Sequence, residues 1–202
     1  MSIIVLISRV VLLIVYLSKL FDNIGLKPLA FQIYLTFGRM IFMQKDKLTS
    51  QFEITPLTMA IVPYESEEGV IHTRIMEKEL SYDVESHPSK VIDLACKYFG
   101  ASLKGRQEGA FDVCNFTHKV PIAIDPYSGM YYFPTESPLS QTCVWIAHTH
   151  VKEIREAKYQ QTEVIFTNGE RITVDVSFGS MQNQIHRTAQ FRYKLDNRIN
   201  RP

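Results

Sequence analysis

The chain has 202 residues, 46% of them apolar and 21% charged, an ordinary globular balance that fits one domain plus an extension. Three cysteines, Cys96, Cys114 and Cys143, are too few and odd in number for a disulfide framework, which points to a reducing compartment. A net charge of +1 excludes any argument from overall charge to a partner.

Residues 1–42 differ from the rest. Ile3 to Leu20 is almost continuously apolar apart from Ser8, Arg9, Ser18 and Lys19; a second apolar run, Ile24 to Met43, is broken by Lys27-Pro28 and Arg39. Neither supplies the roughly 20 uninterrupted apolar residues of a membrane span. Arg9 interrupts what would be the apolar region of a signal peptide, and no small-residue cleavage site follows. Three readings stand: a membrane anchor, a hydrophobic helical extension, or a start assigned too early, with the domain at 43–202 beginning at Met43. The abrupt change of composition favours the last. The extension holds four basic residues (Arg9, Lys19, Lys27, Arg39) and one acid (Asp22), leaving 18 basic against 20 acidic residues, a net charge of −2. A nucleic-acid binder with that balance must segregate its charge.

From Met43 the pattern is strand-rich. Phe52 to Tyr64 reads as a strand bounded by Pro56 and Pro63, Val70 to Met76 alternates, and Leu80 to Val84 is a short third strand. Ser86 as N-cap and Pro88 near N1 open a helix over 88–99, with Val91, Leu94, Ala95, Tyr98 and Phe99 on its buried face, Cys96 beside that face, and Gly100 after it. Ser102 to Gly109, with Lys104-Gly-Arg106, reads either as a short helix or as a mobile loop. It lacks a P-loop pattern, and could be a surface turn or a phosphate grip. Phe111 to Phe116 and Lys119 to Asp125 read as strands. Pro126 to Gly129 is a turn, Met130 to Phe133 returns, and Pro134 to Gln141 is a polar loop.

Cys143 to Glu153 then reads as a strand, followed by a hairpin about Asn168-Gly169. A two-residue type I′ turn there sets Ile165 opposite Ile172, and puts Ile165, Ile172, Val174 and Val176 on one side with Val164 and Phe166 on the other. Ser180 to Arg198 is an amphipathic helix. Met181, Ile185, Thr188, Ala189, Leu195 and Ile199 form its apolar stripe, with Arg192 among them; Arg187, Lys194, Arg198 and Arg201 form a basic stripe, with Phe191 at its edge. The basic stripe is either a solvated face or a nucleic-acid surface. The whole predicts a single α+β domain rich in antiparallel strands, with an internal helix and a basic C-terminal helix.

His148-Thr-His150 places two imidazoles on one face of the predicted strand, a frequent arrangement for metal ligands. Register opposes a cupin-like site, because Glu153 falls on the other face. Cys114, His118 and Cys143 add no standard zinc spacing. A small metal-binding enzyme using His148 and His150 is therefore the alternative, and the leading reading involves no metal, cofactor or catalysis.

From Ile54 to Arg198 the chain resembles the competence transcription factor ComK family. The resemblance is carried by Gly105-Arg106, His118-Lys-Val-Pro121, Ile124-Asp-Pro126, Phe133-Pro-Thr135, Cys143-Val-Trp-Ile-Ala-His-Thr-His-Val-Lys-Glu153, Thr162-Glu-Val-Ile-Phe-Thr-Asn-Gly169 and Asn183-Gln-Ile-His-Arg-Thr-Ala189. It implies a cytoplasmic, nucleoid-associated activator of DNA-uptake genes, membrane-attached only if residues 1–42 are an anchor. It implies binding to A/T-rich double-stranded DNA through the minor groove as a homodimer or dimer of dimers, acting with RNA polymerase. The family tail that engages a Clp adaptor lies beyond the basic helix and has no counterpart before Pro202, so that partner is not carried over. Arg106, Lys119, Lys152 and Arg187, which match family residues, are candidate DNA-contacting cations. Lys194 and Arg198 join them from helix geometry.

Overall fold

The computed structural model describes residues 54–199, all within one compact unit, Phe52–Pro202. The expectations for residues 1–42 and for Arg201 lie outside the described residues. The architecture is α+β and antiparallel. Strands β1 (Thr58–Glu65), β2 (Ile71–Glu77) and β3 (Ser81–Val84) form a meander; α1 (Pro88–Tyr98) and α2 (Leu103–Cys114) follow. Next come β4 (Ile122–Asp125), β5 (Met130–Pro134) and β6 (Trp145–Ala147), then β7 (Val151–Glu156), β8 (Thr162–Phe166), β9 (Arg171–Val174) and α3 (Phe178–Ile199). The larger sheet has the order β3-β2-β1-β6-β5-β4, and β7-β8-β9 form a second, smaller sheet.

Alternation along the central strands sends side chains to two cores. Ile61, Ile75, Tyr132 and Trp145 pack with Val91, Ile92, Ala95 and Cys96 of α1 on one face. Met59, Ala60, Phe133 and Ile146 pack on the other face with Val164, Phe166 and Val174 of the small sheet and Met181 of α3. A third cluster joins Ala110 of α2, Ala123, Tyr131 and Phe191 of α3. With apolar residues demanded on both faces, β5 and β6 are buried along their whole length. Among the described residues no helix is long and apolar enough to cross a membrane.

Several local expectations need correction. The predicted strand over Phe111–Phe116 is helix through Cys114. Ser102 caps α2 by accepting from Gly105 N at 3.0 Å, Ala110 is drawn into the core, and Asn115 ends the helix with φ 58°. A glycine inside a helix costs only about 1 kcal/mol, so Gly105 and Gly109 did not stop it. The cap of α1 is His87, whose Nδ1 accepts from Ser89 N, and not Ser86. Its buried face is turned from the expected one: Ile92 and Cys96 are inside, whereas Leu94 and Tyr98 are exposed.

The expected hairpin register is off by one. Gly169 alone has positive φ, and Phe166 closes on Glu170, so the loop is the three residues Thr167–Gly169, a turn completed by a glycine bulge. Val164 therefore faces Ile172, and Ile165 faces Arg171. Val164 and Phe166 thus share the core face with Val174, which is the face the small sheet must bury. The predicted strand through His148 and His150 is also interrupted. A single 3-10 turn at His148–His150 carries the chain from β6 in one sheet to β7 in the other.

Candidate functional site

Helix α3 is held by polar groups that its apolar stripe alone does not reveal. Its buried residues are Met181, Gln184, Thr188 and Phe191, while Ala189 is exposed. Gln184 Nε2 donates to the carbonyls of Lys119, at 2.9 Å, and Pro134, at 2.8 Å. Its Oε1 accepts from Arg187 Nη1 at 2.7 Å. Arg187 Nη2 reaches His118 O at 2.7 Å, and the guanidinium stands 4.4 Å from the Phe116 ring centroid. Further along, Tyr131 donates to Asp196 at 2.5 Å, with Arg192 lying 5.5 Å over the Tyr131 ring. One helix is thereby fastened to the 115–120 loop and to β5.

The six sequence-derived cations fall into different settings. Arg187, Lys194 and Arg198 come together where α3 passes the C-terminal end of α2. Burial pushes the Cys114 thiol up there, and all three cations pull it down. Lys194 and Arg198 are exposed, but Arg187 is half-buried, and that burial lowers its own pKa. Lys119 sits one residue from His118 in left-handed backbone (φ 46°), its Nζ donating to Thr135 O at 2.8 Å. Arg106 faces inward at the junction of α1 and α2, where Nη2 donates to Phe99 O at 2.9 Å and offsets an unpaired helix-end carbonyl. Lys152 is exposed on β7, beside Glu153. Arg106 and Lys152 are not among the groups acting on Cys114.

Beside this corner runs an open groove of about 800 Å³ between α2 and the 116–120 loop. Phe111, Phe116 and Val120 line it, with Lys104 and Lys119 but also Glu108 and Asp112. Mixed signs make it a poor phosphate track.

The two histidines do not share a strand face, which corrects the geometric basis of the metal reading. His150 is buried, with Nε2 2.8 Å from Pro56 O. Among the described residues no three His, Cys, Asp or Glu side chains gather into a metal-binding group. Burial lowers the pKa of both imidazoles, helped at His148 by Arg192. The folded state thus takes up protons on them less readily than the unfolded chain, which titrates near the ordinary value, about 6.5. More protons bind to the unfolded state, so stability is full above that pH and falls as pH drops through it, by up to about 1.4 kcal/mol per pH unit per histidine. Urea midpoints are expected to fall between pH 7.5 and pH 5.5, and by less in His148→Gln. Equal pH dependence in the two proteins would remove His148 from the account.

A sequence model of the family described as "ComK protein" matches residues 49–200. The chain is also similar to the competence transcription factor of Bacillus subtilis (strain 168), 37% identical over 154 residues that cover 76% of this chain and 80% of the relative. No solved structure matches.

Proposed function

Since this chain belongs to the ComK family, we propose that it is a competence transcription factor that binds A/T-rich duplex DNA through the minor groove. The carrying observation is the basic stripe of α3, where Arg187, Lys194 and Arg198 recur at helical spacing and the last two are exposed, on a chain whose net charge is only +1. Narrow A-tract minor grooves have enhanced negative potential and attract inserted cations. Readout there separates A·T from G·C and leans on shape. Lys194 and Arg198, exposed near the C-terminal end of α3, meet the phosphates or the groove. Arg187, with two of its donors occupied, positions the 116–119 loop against the helix. Lys119 ties that loop to Thr135 just after β5, and Arg106 braces α1 against α2; Lys152, exposed on β7, is a further candidate contact. The protein acts in the cytoplasm on the nucleoid, as a dimer or dimer of dimers working with RNA polymerase.

A Lys194→Ala/Arg198→Ala double variant tests the reading. Two lost phosphate contacts reduce the slope of log K against log salt by roughly 1.8. Affinity for an A/T-box duplex should drop while folding is kept, and a minor-groove drug should compete with the unmodified protein. An unchanged salt slope in the double variant would move the interface away from α3.

A further inference from the structure

The turn between β7 and β8 has the left-handed backbone that a two-residue hairpin loop demands, but not the residues that usually fill it. Tyr159 (φ 57°, ψ 36°) and Gln160 (φ 59°) both hold left-handed backbone. Two successive residues of that kind make a type I′ turn, which follows the twist of a hairpin but normally recruits Asn and Gly. For residues with bulky side chains each such conformation costs on the order of 1–2 kcal/mol. Tyr159 is 91% exposed, so no burial of its ring offsets that cost.

The turn is nevertheless firmly built. Ala157 N donates to Gln161 O at 3.0 Å and Gln161 N to Lys158 O at 3.2 Å. Its base is tied to the segment leading into α3, with Gln161 Nε2 to Asp175 Oδ1 at 2.8 Å and Thr162 Oγ1 to Val176 O at 2.6 Å. An aromatic ring is thus held out in solvent at the tip of the hairpin that joins β7 and β8 of the three-stranded sheet, flanked by the exposed Lys158 and Gln160.

The neighbouring charges narrow what this tip meets. On the outer face of the small sheet, Arg155 pairs with Glu153 at 2.8 Å and Arg171 lies 3.4 Å from Glu163. Among the described residues Lys158 has no such ion pair, so its charge is free for a partner. An apolar wedge beside a cation and a long amide side chain suits the minor groove, where Lys and Gln meet backbone and base acceptors while a flat side chain presses between base steps. The hairpin is fastened to the segment that opens α3, whereas Lys194 and Arg198 lie towards the other end of that helix.

We propose that Lys158, Tyr159 and Gln160 form a hairpin tip that enters the minor groove of A/T-rich duplex DNA, as a contact separate from the one made by Lys194 and Arg198. Tyr159 is the wedge, and its left-handed backbone aims it. This rests on the DNA-binding reading above and adds a second point of contact to it.

The test uses the full chain and an A/T-box duplex carrying 2-aminopurine, which brightens when its neighbours unstack. The wild type is expected to bind and to raise the fluorescence. Tyr159→Ala should bind roughly 10-fold or more weakly and lose the fluorescence change, with its circular dichroism and melting unchanged because the ring is outside the core. Tyr159→Phe should retain both signals. Binding by Tyr159→Ala within twofold of the wild type, with the same fluorescence rise, overturns the tip and leaves the DNA reading standing. Failure of the wild type to bind the duplex at all overturns both.

Discussion

Trp145→Ala is expected to destabilise the protein by about 3–5 kcal/mol, lowering its melting temperature by roughly 10 °C or more. Trp145 is fully buried, and its three-residue strand β6 lies between β1 and β5. It stands opposite Ile61 on one side and Pro134 on the other, within the cluster that holds α1. A hole there cannot collapse without moving strands on both sides, which is the circumstance in which cavity costs are largest. The strand also leads directly into the 3-10 turn and β7, so its loosening reaches the small sheet. Trp145→Phe should cost under about 1.5 kcal/mol, because it keeps ring bulk and drops an Nε1–H that has no acceptor among the described residues. Urea unfolding followed by circular dichroism decides it. Fluorescence would not serve, since the chain has one tryptophan. A loss below about 1.5 kcal/mol for the alanine variant would mean that the two faces of the sheet unfold independently of this residue.

What could be read from the residues followed the strength of the local signal. Pro88 with a preceding cap, the alternation of Val70–Met76 and the long amphipathic run after Ser180 each specify an element, and β2, α1 and α3 lie where those signals put them. Register was harder. Asn168-Gly169 is compatible with a two-residue or a three-residue loop, and only the need to bury Val164 and Phe166 on the face of Val174 selects the second. Phe111 and Val113 alternate like a strand, but the cap at Ser102 and the burial of Ala110 continue the helix. The 3-10 turn at His148–His150 could not be seen locally, because it exists to transfer the chain between sheets. The polar seat of α3 was legible in part. Gln184 falls at helical spacing between Met181 and Thr188, a signal that a stripe read mainly from apolar residues left out. Its partners, the carbonyls of Lys119 and Pro134, are backbone atoms distant in sequence that no side-chain pattern announces. Tyr159 lacked any signal of turn chemistry, since neither it nor Gln160 is a usual left-handed residue.

Gln184→Leu should be nearly as damaging as the loss of Trp145, by a different route. Leucine keeps the length and helix propensity of glutamine, so the change isolates the hydrogen bonds. Two carbonyls lose their donor, and leaving a buried polar group unpaired costs about 1–3 kcal/mol each. A total near 3 kcal/mol follows, read as a drop in melting temperature of roughly 6–12 °C. On the DNA-binding reading proposed above, affinity for the duplex should fall as well, since the helix that carries Lys194 and Arg198 loses its attachment to the 115–120 loop. Gln184→Glu separates two explanations of this seat. If Gln184 served chiefly to hold Arg187, a carboxylate 2.7 Å from the guanidinium would do so better than an amide, and stability would be kept or raised. If its work is to bridge the carbonyls of Lys119 and Pro134, an ionised carboxylate has no proton to donate and faces two oxygens instead. The geometry assigns two of its three hydrogen bonds to those carbonyls. Gln184→Glu is therefore expected to melt as low as Gln184→Leu at pH 7, and to close the gap to the unmodified protein measured at the same pH as the pH is lowered through the range where the new carboxyl takes up a proton.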